Sequence, residues 1–128
     1  MKTKKIMVVD DNPDITNSVK QGLQYLCPDY EIVCADSGSG CLELLKNGKI
    51  PDLILLDIMM PGMSGWMLSD RLKENSTWKN IPIIILTART DEFAKKVADP
   101  LCNDYLEKPF DVEDLKKRID KVLKESTS

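Results

Sequence analysis

Two kinds of hydrophobic pattern alternate along the chain. Lys5–Val9, Leu53–Leu56 and Pro82–Leu86 are short, nearly unbroken apolar runs rich in Val, Ile and Leu. Runs of this length read as strands, and continuous rather than alternating apolarity marks strands buried on both faces. Glu31–Ala35 is a second strand whose end at Ala35-Asp36 fits an outer position, and Asp104–Leu106 is a short fifth strand. Between the runs, apolar residues return every three or four positions, as on one face of a helix. Asn12 caps the first helix and Pro13 fits its first position, with Ile15, Val19, Leu23 and Leu26 along one side. Ser37–Gly40 starts a second helix carrying Leu42 and Leu45, and Ser64 caps a third carrying Leu68 and Leu72. Thr90–Asp91 opens a fourth with Phe93, Ala94 and Val97, stopped by Pro100. Asp111 caps the last helix, where Phe110 and Leu115 form a hydrophobic staple and Val112, Leu115, Ile119 and Val122 the stripe. Glu125–Ser128 is expected to fray.

Five strands alternating with five helices predict an α/β fold: one parallel sheet with helices on two faces, joined by right-handed crossovers. The chain of 128 residues is long enough for one such domain, over 1–128 with its core at about 4–124. No internal repeat, linker or second domain is expected. In open sheets of this kind a ligand sits at the carboxyl ends of the strands.

The polar residues that end the strands are therefore the ones to weigh. Asp10 and Asp11 follow the first strand, Asp57 the third, Thr87 the fourth and Lys108 the fifth. Three carboxylates at one edge repel each other, by roughly 1 kcal/mol per contact at 4 Å in water and about 4 kcal/mol at an effective dielectric near 20. Such a cluster calls for a cation, and oxygen ligands alone suit Mg²⁺. A carboxylate nucleophile, a hard divalent cation, a lysine and a hydroxyl are the parts of a phosphoryl-transfer site, with Asp57 as acceptor.

Composition narrows the choice. Histidine is absent, which excludes a histidine general base, a Ser-His-Asp triad and a phosphohistidine on this chain. Cys27, Cys34, Cys41 and Cys102 form no C-x-x-C pair and read as small hydrophobes rather than zinc ligands or disulfides. A net charge of -3 leaves no basic footprint for nucleic acid. No apolar run approaches a membrane span, and a cytoplasmic location is expected.

Val8-Val9-Asp10-Asp11, Leu55-Leu56-Asp57-Ile58-Met59-Met60-Pro61-Gly62-Met63-Ser64-Gly65, Leu86-Thr87-Ala88 and Tyr105-Leu106-Glu107-Lys108-Pro109-Phe110 together resemble a response-regulator receiver domain of two-component signalling. The resemblance covers nearly the whole chain and implies the flavodoxin-like strand order 2-1-3-4-5. That order belongs to the chemotaxis-regulator type of doubly wound sheet, and it comes with the family, not from the residues. The resemblance also implies a phosphorylation-activated switch, not an enzyme. Asp57 would accept a phosphoryl group from a phosphohistidine on a sensor histidine kinase or a histidine phosphotransfer protein. Asp10, Asp11, Asp57 and the backbone carbonyl of Met59 would hold Mg²⁺ or Mn²⁺. Thr87, the Ala88 backbone and Lys108 would stabilise the phosphoryl group, Thr87 and Tyr105 would move as the switch, and the Lys108–Pro109 bond would be cis. Met59 and Arg89 stand where this family tunes the lifetime of the aspartyl phosphate, and the apolar Met59 side chain is expected not to position an attacking water. The signal would leave through the face of the fourth helix, fifth strand and fifth helix, to a downstream protein, through dimerisation, or to a domain outside this chain.

Blander readings exist for single residues: Asp57 as a turn cap, Asp10 and Asp11 as helix-dipole acids, Lys108 and Thr87 as ordinary strand-end residues, Tyr105 as core. Their joint occurrence outweighs these. The chain departs from the family pattern between Thr87 and Lys108, which is about one residue short, at Leu101-Cys102 where a Gly-Ala pair is usual, and at Pro100. These departures fall on the output face. Two other functions compete. A small-molecule aspartyl phosphatase would need a D-x-D spacing that Asp10-Asp11-Asn12-Pro13 lacks. A phosphorylation-independent interaction module would be marked by loss of Asp57, Thr87 or Lys108, and all are present.

Overall fold

The computed structural model describes residues 3–88 and 103–127. Its elements in chain order are β1 (Lys4–Val9), α1 (Pro13–Leu26), β2 (Tyr30–Ala35), α2 (Gly38–Lys46), β3 (Leu53–Asp57), α3 (Gly65–Glu74), β4 (Ile83–Ala88), β5 (Asp104–Lys108) and α4 (Val112–Thr127). The strands form one sheet in the order β2-β1-β3-β4-β5, and every neighbouring pair is parallel. The expected fourth helix, with Arg89, Pro100, Leu101 and Cys102, lies outside the described residues. The C-terminal helix α4 is the fifth of those predicted.

The continuous apolar runs are buried on both faces, as expected. Along β3, Ile54 and Leu56 join a core with Cys41, Leu45, Leu68 and Leu72, beneath α2 and α3. Leu53 and Leu55 join another with Val19, Leu23, Leu115 and Ile119, beneath α1 and α4. Alternate side chains of a strand point to opposite faces, so two helical layers require apolar residues at every β3 position from Leu53 to Leu56, before the rim.

Several boundaries differ from the sequence expectation. β4 starts at Ile83 and continues through Thr87 to Ala88, and β5 continues through Glu107 to Lys108. The ladder pairs Thr87 with Glu107 and Ala88 with Lys108. Hydrophobic runs report burial, whereas backbone pairing carries on through polar residues at a sheet's rim. Asp57 likewise belongs to β3 and pairs with Leu86. The C-terminal helix runs on to Thr127 instead of fraying at Glu125. Val122 and Leu123 are buried, and their packing holds its last turns.

Asn12 and Ser64 cap their helices as expected, and Ser37, within the stretch expected to start the second helix, caps that one. The Asn12 side chain accepts from the Asp14 N–H at 2.9 Å, Ser37 from Gly40 at 3.0 Å and Ser64 from Met67 at 3.3 Å. Asn12→Ala is expected to cost about 1 kcal/mol, read as a lower urea midpoint with an unchanged slope.

Candidate functional site

Parallel strands deliver their carboxyl ends to one rim, and the site is assembled there. Asp10 follows β1, and its N–H donates to the Ala35 carbonyl at 3.1 Å, which continues the ladder one step past the strand. Asp57 closes β3, Thr87 lies at the end of β4 and Lys108 closes β5. Asp10, Asp57 and Thr87 are buried, at 1%, 4% and 2% exposure, a low value for side chains that are costly to desolvate. Asp11 is exposed beside them.

The carboxylates of Asp10, Asp11 and Asp57 each offer an oxygen within 4.8 Å of the others. Lys108 Nζ lies 2.8 Å from Asp10 Oδ2 and 3.4 Å from Asp57 Oδ1, bridging the two buried acids. Backbone donors complete the frame: Asn12 N–H to Asp10 Oδ1 at 3.0 Å and Met59 N–H to Asp57 Oδ1 at 3.3 Å. Burial, followed by the neighbouring Asp10 charge, raises the Asp57 pKa from 3.8 to about 6, against the opposing pull of Lys108 and the Met59 N–H. Burial by itself lowers the Lys108 pKa. Its hydrogen bond to Asp10 and the charges of Asp57 and Asp10 outweigh that and hold it above the usual lysine value.

A divalent cation suits this donor set. The cluster offers three carboxylates with no sulfur or imidazole ligand among them, the hard-oxygen environment of Mg²⁺. Lys108 supplies a positive charge between two of the acids.

The other predicted residues fall around this centre. Ala88 pairs with Lys108 across the β4–β5 ladder. Tyr105 is half-buried, packs against the core beneath α2 and α3, and its carbonyl accepts from Arg118 Nη1 at 3.0 Å. The Lys108–Pro109 bond is cis. Met59 carries its side chain outward, 69% exposed. Arg89 is outside the described residues.

Two features escape a reading of the sequence. Gly65 packs against the Asp57 backbone: a Cβ there would stand 2.5 Å from the Asp57 carbonyl oxygen. The only signal for it is a glycine at a helix start. Beside Lys108, an apolar groove of about 610 Å³ is lined by Ile15, Val19, Gly22, Pro109, Phe110 and Val112. It lies between α1 and the start of α4, two elements distant in sequence. Among the described residues, no helix is long and apolar enough to cross a membrane.

With this geometry in hand, known proteins offer a comparison. The family model described as response regulator receiver domain matches residues 6–120. The sensor histidine kinase TmoS of Ectopseudomonas mendocina is 34% identical over 120 residues, which is 93% of this chain and 12% of TmoS. The response regulator MprA of Mycobacterium sp. (strain KMS) is 35% identical over 125 residues, 96% of this chain and 52% of MprA. The chain thus spans about an eighth of one of these relatives and half of the other. Among solved structures, the response regulator TrrA of Thermotoga maritima, in complex with Mg²⁺-BeF, superposes with a TM-score of 0.80 at 34% identity, covering 93% of this chain and 98% of that one.

Proposed function

The chain belongs to the family of response regulator receiver domains, and on that premise we propose that Asp57 is the phosphoacceptor of a two-component switch. Receiver domains are signalling domains that work with histidine kinases. The observation that carries the assignment is the buried Asp57 carboxylate held between an acidic cluster and the Lys108 ammonium.

In the proposed reaction, an Asp57 carboxylate oxygen attacks the phosphorus of a partner's phosphohistidine. A P–O bond forms and the P–N bond breaks, its electron pair returning to the imidazole, which takes up a proton. Histidine is absent from these 128 residues, so the donor imidazole lies outside them, on a sensor kinase or a phosphotransfer protein. The apolar groove beside Lys108 is our choice for where that donor rests. Asp10, Asp11, Asp57 and the Met59 carbonyl would hold Mg²⁺, which neutralises charge on the transferred group; TrrA, with its Mg²⁺-BeF, supports this assignment.

Phosphorylation adds about -1.5 to -2 of charge at neutral pH. Lys108 would turn from Asp10 toward the new oxygens, and the Thr87 hydroxyl and the Ala88 N–H would donate to them. Tyr105 would turn inward as Thr87 moves, passing the change to the face formed by β5 and the C-terminal helix. We place a downstream protein, or a second copy of the chain, on that face, and the domain itself over 1–128. No catalytic turnover of an outside substrate is part of this function.

Phosphoramidate with Mg²⁺ tests the proposal. The intact mass is expected to rise by one phosphoryl group, mapped to the peptide holding Asp57, and chelation of Mg²⁺ beforehand is expected to prevent it. Absence of labelling, or labelling at another residue, overturns the assignment.

A further inference from the structure

We propose that the Met59 thioether is a reversible oxidation site, and that its sulfoxide shortens the life of a phosphoryl group on Asp57. The inference rests on the assignment of Asp57 as phosphoacceptor.

Methionine is enriched around the site, yet its copies differ sharply in access. Met59 is 69% exposed and Met67 50%, whereas Met60 is only 8% exposed. Met63 is half-buried, with its Sδ 2.7 Å from where a Cβ on Gly38 would stand. The outward turn of Met59 follows from its neighbours. Ile58 and Met60 are both buried, so the residue between them faces solvent. Met59 is also tied to the acceptor directly, because its N–H donates to Asp57 Oδ1 at 3.3 Å. The most exposed of these four methionines is therefore carried two residues from the acceptor, on a backbone unit that touches the acceptor carboxylate. Met67 is accessible too, but it rides on α3, ten residues along the chain from Asp57.

The chemistry needs a peroxide. A sulfur lone pair attacks one peroxide oxygen, an S–O bond forms and the O–O bond breaks. The remainder leaves as water or an alcohol. The sulfur loses two electrons and the peroxide gains them. Methionine sulfoxide reductases reverse the change. A thioether is a poor hydrogen-bond acceptor, and an apolar side chain here does nothing to hold water against the phosphoryl group. A sulfoxide oxygen is a polar acceptor on the same flexible stem. It can fix a water beside the phosphorus, and positioning of this kind speeds attack. Oxidation would thereby clear the signal without a phosphatase.

The test uses the full chain. It is treated with dilute hydrogen peroxide, the sulfoxides are located by peptide mass, and the chain is phosphorylated with phosphoramidate and Mg²⁺. The decay of the phosphorylated mass is then followed. Met59 and Met67 are expected to oxidise ahead of Met60, with decay on the order of tenfold faster after oxidation. Met59→Leu should remove the response to peroxide and Met67→Leu should keep it. Met59→Gln, which carries a carbonyl oxygen near the sulfoxide position, should decay quickly without peroxide. A stoichiometric Met59 sulfoxide with unchanged decay overturns the proposal, as does a Met59→Leu chain that still responds. These outcomes leave the phosphoacceptor assignment standing. An untreated chain that accepts no phosphoryl group overturns both.

Discussion

Asp57→Asn is expected to be more stable than the unsubstituted chain at pH 8 in the absence of divalent cations, with the advantage vanishing near pH 4. The reason is the direction of the Asp57 shift, from 3.8 to about 6, caused first by burial and then by Asp10. Between those values the folded chain binds more protons than the unfolded chain, so stability falls as pH rises. The contribution is fully present below the unfolded pKa and is lost as pH climbs through about 6. At about 1.4 kcal/mol per pKa unit, the whole span is on the order of 3 kcal/mol. Asparagine keeps the shape and can still accept from the Met59 N–H, but it brings no charge to repel Asp10. Lys108 then serves Asp10 alone, at the closer of its two contacts. Mg²⁺ should reverse the ranking, because it binds the folded cluster of three carboxylates better than that of two. Urea unfolding from pH 4 to 8, with chelator and then with Mg²⁺, checks this. An unsubstituted chain that is the more stable at every pH without cation would contradict it. On the proposed function, burial and the Asp10 charge work against the ionised Asp57 carboxylate, and a bound cation would offset that cost.

How much of this is legible in the sequence follows from what each signal reports. Helix stripes and double-sided apolar runs report burial, and burial defines the sheet, its two helical layers and the rim where polar residues collect. Asp10, Asp57, Thr87 and Lys108 stand out because each ends a strand at the same kind of position. The strand order comes from resemblance to a family and agrees with the sheet. The strand ends at Ala88 and Lys108 escape because pairing at the rim leaves no hydrophobic trace. Lys108 and Asp10 stand 98 residues apart, and no local pattern announces that they touch at 2.8 Å. The Asp57 shift is equally hidden, since it depends on how deeply a strand's last residue sits. The groove beside Lys108 needs the mutual placement of α1 and α4, a tertiary fact with no sequence period.

Gly65 carries the last expectation, and its sign runs against helix propensity. On propensity alone, Gly→Ala inside a helix stabilises by about 1 kcal/mol. Here Gly65→Ala is expected to destabilise by about 1–3 kcal/mol and to weaken Mg²⁺ binding and phosphoryl uptake at Asp57. The added Cβ would lie 2.5 Å from the Asp57 carbonyl oxygen and 2.7 Å from the Ile58 Cα, and both are backbone atoms that no rotamer change can move aside. The Gly65 N–H donates to the Ile58 carbonyl at 2.9 Å, so the first turn of α3 is bonded to the chain it would have to push away. Relief must come from shifting α3 or the end of β3. A shifted β3 end moves the Asp57 carboxylate relative to Asp10, Asp11 and Lys108, and displacements of about 1 Å are costly where charged groups must converge. Gly48→Ala separates the two effects. Gly48 has φ +87 with nothing within 4 Å of a Cβ, so alanine there strains the backbone without crowding a neighbour. Its loss of stability should be of similar size, with Mg²⁺ affinity and phosphoryl uptake unchanged. Equal Mg²⁺ affinities in Gly65→Ala and the unsubstituted chain would show that α3 absorbs the strain and that the glycine protects the helix packing rather than the acceptor.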